Sequence, residues 1–482
     1  MNQILANRTG GDASICLALT SEPHGPIARI GDALDNPGSR VPMRSFRLAR
    51  HHIHAAPRAR RSVEQTKVVF VNRFFFPDES ATSQMLSDVA FALAKQGFDV
   101  HVVTSRLDYS DPLVRRPASE EIHGVTVHRV WTSRLGGSSL LGRAIDYLTF
   151  YLNAAAALVR TLSYGDVLVA KTDPPLISVV GALACRVRQA RLVTWLQDLY
   201  PEVARAAGVR FASGWLWQAA SMARNWSLRV ACANVAIGDS MRSYLTQLGR
   251  PAQHLTVIHN WADGESIQPM EAGSSPLRRE WGLDGRFIVE YSGNLGRVHD
   301  YQTLLDVATE LRVDERVVFL FAGQGHGFRR LREEAAQRGL SNVMFRPPQP
   351  RERLGQLLTL GDVHLVTLAP GMGPFVLPSK LYGVLAAGRP VLFVGGADSE
   401  IPAILDALQC GSAVESGDVH GLAQAIRALA ADAGLRRRLG ANARHAFEQH
   451  FSKRAALDAW RRVIQAAHAP EAVRSIGQPL SV

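Results

Sequence analysis

From Lys67 onward, short runs rich in Val, Leu and Phe alternate with longer stretches of helical period, and this alternation constrains the fold more than any other feature. Lys67–Asn72 reads as a buried strand. Ser83–Gln96 reads as a helix with Met85, Leu86, Val89 and Leu93 on one face, and Asp99–Thr104 as the next strand after Gly97. A βαβ unit of this kind sets its strands parallel, and a parallel sheet needs helices on both faces. Further strands are predicted at Val125–Val130, Asp166–Ala170, Leu192–Leu196, Asn234–Ile237 and Leu255–His259, with helices at Gly142–Leu162 and Ser240–Gln247.

The pattern pauses at Asn260–Gly264 and through a polar segment to Pro276, then resumes. Strands are predicted at Phe287–Tyr291, Val317–Ala322, Val343–Phe345, Val363–Thr367 and Pro390–Val394, interleaved with helices such as Tyr301–Leu311, Phe328–Gln337 and Ser379–Ala387. The expected fold class is therefore α/β, with two doubly wound, Rossmann-like domains. Residues 67–262 form the N-terminal domain and 263–452 the C-terminal one, and 453–482 supply a helix that crosses back, plus a tail. A chain of 482 residues is too long for one ordinary core, which agrees. Residues 1–66 are rich in Gly, Pro, Ser and Arg without sustained period, and read as a disordered tail or an over-extended start.

A formal net charge of +11 points either to anionic partners or to solvated basic faces. Basic residues interleaved with aromatics are absent, so nucleic acid is not an expected partner. Cys16, Cys185, Cys232 and Cys410 are dispersed, with no CxxC pair and no Cys/His cluster. That argues for a reducing, cytoplasmic setting and against structural zinc. No apolar run reaches the ~20 residues of a membrane span, and no secretory signal opens the chain. Gly142–Leu162, with Leu148, Phe150, Tyr151 and Leu152, fits either a buried helix or peripheral contact at the inner face of the plasma membrane.

Two glycine clusters follow strands of the second half: Ser292-Gly293-Asn294-Leu295-Gly296-Arg297 and Ala322-Gly323-Gln324-Gly325-His326-Gly327. Glycine lets a backbone turn sharply and approach a phosphate, and a helix N-terminus favours negative charge. Plain turn punctuation is the competing reading. Neither cluster is a dinucleotide fingerprint, and no Walker sequence occurs. In Pro378-Ser379-Lys380, Ser379 is a fitting N-cap and Lys380 adds a charge beside it, which suits a diphosphate. An ordinary capped core helix is the alternative there.

Ala386-Ala387-Gly388-Arg389-Pro390, the two glycine turns, Val257–Trp261 and Phe447–Phe451 together resemble the family-four retaining glycosyltransferases of the GT-B fold, over about residues 67–462. Pro378–Tyr382 ahead of Ala386–Pro390 is similar to the bacterial branch that builds exopolysaccharide and O-antigen, including the colanic-acid type. The resemblance implies two facing domains, the second holding a nucleotide sugar. Gly293, Asn294, Gly296, Gly323 and Gly325 would admit its diphosphate, and Arg297 and Lys380 would neutralise it. Ser379 and Leu381 would hold its oxygens, and Arg346, in the segment Phe345–Arg353, would line the base pocket. Across the cleft, on the acceptor side, stands the loop Pro77–Ser83, with Glu79, Ser80 and Thr82. Asp198 would contact the acceptor hydroxyl or the donor sugar; a turn carboxylate is its competing reading.

The implied reaction moves a sugar from a nucleoside-diphosphate sugar to an acceptor hydroxyl, with retention, on a polyprenyl-diphosphate-linked or other glycan. No cofactor is expected, and without an Asp-x-Asp pair no metal either. One departure stands out. Many members of that family carry two glutamates eight positions apart, the second holding the donor ribose; here those positions are Phe375 and Gly383, with Glu400 as a substitute. The departure keeps two other readings open, a non-catalytic GT-B-fold subunit that binds glycan or a partner, and a nucleotide-sugar epimerase or phosphorylase.

Overall fold

The computed structural model describes residues 67–108, 114–136, 140–208, 214–296 and 298–468; the tails 1–66 and 469–482, and Arg297, lie outside the described residues. The first sheet comprises β1 (Lys67–Val71), β2 (Asp99–Ser105), β3 (Ser119–Ile122), β4 (Val125–Val130), β5 (Val167–Lys171), β6 (Arg191–Leu196), β7 (Ala233–Ala236) and β8 (Leu255–Val257), in the order β3-β4-β2-β1-β5-β6-β7-β8. The second comprises β9 (Phe287–Asn294), β10 (Val317–Gln324), β11 (Val343–Arg346), β12 (Val363–Thr367), β13 (Val391–Val394) and β14 (Gly411–Val414), in the order β11-β10-β9-β12-β13-β14. Two Rossmann-like α/β domains are present, as the alternation predicts.

The central strands are apolar on both faces because both are covered. Val68, Phe70, Val100, Val167 and Val193 point into one core, against the helices Ala81–Lys95 and Lys453–His468. Val69, Val71, Val103 and Leu168 point into the other, against Leu140–Thr161 and Ile177–Arg188. One pairing corrects the all-parallel expectation: β3 runs antiparallel to β4 at the sheet edge. Its sequence, Ser-Glu-Glu-Ile, has no apolar run, and its residues alternate exposed and half-buried, so neither of its faces is fully covered.

The last helix returns to the first domain. Trp460, Val463 and Ile464 are buried in its core, and the Trp460 ring lies 4.3 Å from that of Trp195 on β6. Lys453 pairs with Asp88 at 2.6 Å, and Asp88 also accepts from Trp261 Nε1 at 3.0 Å. The chain thus crosses between domains twice, and the two crossings touch as a parallel bridge between Ala262 and Ser452. Between the domains runs an apolar seam in which Leu199, Ile237 and Met241 of the first meet Leu377, Leu381 and Ile401 of the second.

Candidate active site

Strand order reverses between β1 and β5 in the first sheet and between β9 and β12 in the second. Open α/β sheets take ligands at the C-terminal ends of such pairs. Gly293 lies at the end of β9 with φ 112°, and a side chain there would meet nothing within 4 Å. Gly323, its register partner on β10, has no such room: a Cβ would stand 2.0 Å from the Gly293 carbonyl oxygen. Gly325 is confined in the same way by Asn294 Oδ1. Gly323 and Gly325 therefore let two turns pack together, and Gly293 leaves bare backbone facing the crevice.

Lys380 opens a helix, Lys380–Ala386, that is held against this turn. Its Nζ stands 3.5 Å from the centroid of the Tyr291 ring and donates to the Tyr291 hydroxyl. That hydroxyl donates in turn to the Asn294 carbonyl at 3.0 Å. Burial pushes the ammonium well below the usual lysine range, and no carboxylate offsets it among the described residues. Gly296 N–H donates to His299 Nδ1 at 3.1 Å, which leaves the ring proton on Nε2. Burial, and next the Lys380 charge, hold His299 well below its ordinary pKa. Tyr291 and His299 carry no motif, so sequence reasoning passes over both. A diphosphate placed between Gly293 and Lys380 would supply the counter-charge that the cation lacks.

Four expected donor contacts need correction or relocation. Ser379 occupies the cap position but has helical angles, φ −63° and ψ −19°, and its hydroxyl makes no capping bond; an extended residue is what a side-chain cap requires. Leu381 is fully buried in the seam, and its N–H turns back to the Pro378 carbonyl at 3.2 Å. Glu400 is engaged across the seam between the domains. Its Oε2 accepts from Ser240 N–H at 2.9 Å, at the start of the first-domain helix Asp239–Gln247, and His259 Nδ1 lies 3.5 Å from Oε1. Burial raises its pKa to about 7. Arg346 ends the edge strand β11 and stacks over Trp281 at 5.2 Å, two strands away from Gly293.

On the first-domain side, the loop after β6 is clasped to the second domain. Leu199 N–H donates to the Phe375 carbonyl at 3.0 Å, and Asp198 bridges Val376. The Phe375 ring meets Tyr244 edge-on at 5.0 Å. Gly383, where the family resemblance implies the second glutamate, faces a Leu358 methyl that a Cβ would approach to 3.1 Å. Both positions therefore serve packing here. Burial raises the Asp198 carboxyl to about 6, the Asp173 charge adding to the shift and Lys171 opposing it. Lys171, which sequence reasoning also passes over, is fully buried without a hydrogen bond, its Nζ 3.4 Å from the Trp195 ring centroid.

Glu79, Ser80 and Thr82 lie after β1 at the C-terminal edge of the first sheet. Ser80 caps the helix Ala81–Lys95, accepting from Ser83 N–H at 3.4 Å, so its hydroxyl is committed locally. Glu79 is exposed and Thr82 half-buried. Among the described residues, no group of three or more His, Cys, Asp or Glu is placed to hold a metal ion.

Two Rossmann-like domains that meet at the C-terminal ends of their sheets, with a glycine turn at the second switch point, are the architecture of the GT-B fold. Residues 80–261 match the glycosyl transferase 4-like domain, and 275–446 match the glycosyl transferases of group 1. The chain belongs to this family of GT-B glycosyltransferases and is an enzyme of that class. It is 27% identical over 372 residues to the putative colanic acid biosynthesis glycosyl transferase WcaI of Escherichia coli K12, covering 75% of this chain and 91% of that one. Its fold is similar to sucrose-phosphate synthase of Thermosynechococcus elongatus, with TM-score 0.68, 17% identity, and 84% and 100% of the two chains covered. Anabaena HepE in complex with UDP-glucose gives TM-score 0.63 and 18% identity, over 83% of this chain and 100% of that one.

Proposed function

We propose that the enzyme moves a sugar from a nucleoside-diphosphate sugar to a hydroxyl of a lipid-linked glycan in bacterial surface-polysaccharide assembly, with retention of configuration. The WcaI name supports the pathway class, and the UDP-glucose in HepE supports the donor class. On this reading the C-terminal domain binds the donor and the N-terminal domain the acceptor. The observation that carries it is Lys380, a half-buried cation with no carboxylate against it among the described residues, beside the open backbone of Gly293.

Breaking the glycosidic C–O bond places negative charge on the leaving diphosphate. Lys380, with Arg297 next in sequence to Gly296, stabilises that charge. In a front-face route the leaving phosphate oxygen takes the proton of the acceptor hydroxyl, so no protein nucleophile is needed. Asp198 orients that hydroxyl, with Glu79 and Thr82 on the acceptor path. With no carboxylate at positions 375 and 383, donor affinity rests mainly on the diphosphate. An acceptor on a polyprenyl carrier brings the enzyme to the inner face of the plasma membrane.

A thermal-shift panel of UDP-, GDP- and ADP-linked sugars, run with wild type and Lys380→Ala, tests this. Stabilisation by one base series, reproduced by the free diphosphate, weak with the monophosphate and lost in Lys380→Ala, is the expected outcome. No shift with any of them would overturn it.

A further inference from the structure

The three helices Leu140–Thr161, Ile177–Arg188 and Gly214–Val230 pack side by side on the first sheet, on the face away from the C-terminal helix. Their inward residues are ordinary core: Phe150, Ala154 and Leu158, for example, are buried. Their outward residues are not ordinary surface. On the first helix the exposed positions run Leu141, Ala144, Leu148, Leu152 and Ala156 before ending at Arg160. That spacing is one continuous stripe, and Leu141 and Leu152 are 72% and 64% exposed. The middle helix adds Leu183 and Val187. The third adds Trp215, Leu216, Met222 and Val230, with Trp215 74% exposed. Most large exposed hydrophobic side chains among the described residues lie on these three helices.

The charge on this layer has one sign. Arg160, Arg186, Arg188 and Arg229 are exposed on it. The only acid in the three helices is Asp146, which is buried and accepts from the Ser133 hydroxyl and from the N–H groups of Leu135 and Gly136. A face that is apolar along its ridges, arginine-bearing between them and free of exposed acid complements an anionic lipid surface. The apolar side chains enter the acyl boundary and the guanidinium groups meet headgroup phosphates. A protein partner would need a matching acidic, apolar face, and a second copy of this chain does not offer one here, since its own face is basic.

We infer that this three-helix face is the docking surface of the enzyme on an anionic bilayer. Trp131 and Leu135, both exposed, continue it to the C-terminal end of β4. A docked enzyme would therefore present the rim of its first sheet to a lipid-borne acceptor. That last point rests on the acceptor reading; lipid binding itself does not, and is measured without donor or acceptor.

The test is co-sedimentation of the full chain with phosphatidylcholine vesicles, with and without a quarter of phosphatidylglycerol. Wild type is compared with Leu148→Asp/Leu152→Asp and with Arg186→Glu/Arg229→Glu. All four positions are exposed, and unchanged unfolding midpoints would show that the variants fold. Wild type should prefer the anionic vesicles, and each variant should lose partitioning by about tenfold or more. Equal binding to both lipids would overturn the inference. So would undiminished binding of the variants, which would move the contact to the Arg-rich residues 1–66. A wild-type dimer that the same substitutions dissociate without lipid would make the face an interface between copies instead.

Discussion

In the free enzyme, Lys380 rests half-buried on the Tyr291 ring, with a neutral hydroxyl as its one polar partner among the described residues. Removing a half-buried cation that has no counter-charge costs the free fold little, whereas a bound diphosphate uses it fully. Lys380→Met should therefore leave thermal stability unchanged or raise it, by about 1 kcal/mol. The same variant should weaken nucleoside-diphosphate binding by ~1.5–3 kcal/mol, read by calorimetric titration. Loss of both together would mean that the lysine is structural. Asp198 has its own signature. Its pKa is raised to about 6 by burial, so it ionises only above that pH. If it accepts from the acceptor hydroxyl, kcat/KM should fall as pH drops through about 6, and Asp198→Asn should be slow without that limb. A limb that survives in the asparagine variant would assign it to another group. Of these residues, Lys380 and Asp198 are legible in the chain. Tyr291, 89 residues from Lys380, is not, because their contact exists only once β9 and the helix at 380 are folded together.

At the level of elements, the two glycine turns look alike in sequence and differ in space. Gly293→Ala meets no neighbour but sits at positive φ and projects into the crevice. It should cost roughly 1–2 kcal/mol of stability and a larger share of nucleotide affinity. Gly323→Ala runs into the Gly293 carbonyl, and should cost stability above all, by more than about 2 kcal/mol. Denaturant unfolding beside nucleotide titration separates the two, and equal effects would show that the turns share one role. The same physics explains which elements the chain announces. Continuous apolar strands such as β1, β5 and β12 are plain because both their faces are buried. Edge strand β3 is hidden by its charge, and β14, Gly-Ser-Ala-Val, by its lack of an apolar run. The helices Ile177–Arg188 and Gly214–Val230 escape notice because their outward positions are also apolar, which erases the helical period.

Across the whole molecule, Glu400 joins the second domain to the first-domain helix at Ser240, a pairing over 160 residues that no local pattern reveals. Its carboxyl titrates at about 7 in the fold against about 4.3 unfolded. A raised carboxyl favours the fold when protonated, so this contribution is intact below about pH 4.3 and is lost as pH rises through 7. Glu400→Gln removes that slope. Its stability advantage over wild type should grow from pH 5 to pH 8, reaching at most ~3 kcal/mol in thermal unfolding. An advantage that does not change with pH would discount the junction as a titrating one. The returning helix Lys453–His468 has a different consequence, which concerns synthesis. The first domain is translated first, yet Trp460 and Ile464, which close its core against Trp195, leave the ribosome near the end. Until then the nascent N-terminal sheet carries an open apolar face through the making of the entire second domain. A stalled or shortened chain is therefore left with that face uncovered, a ready target for chaperones and proteases.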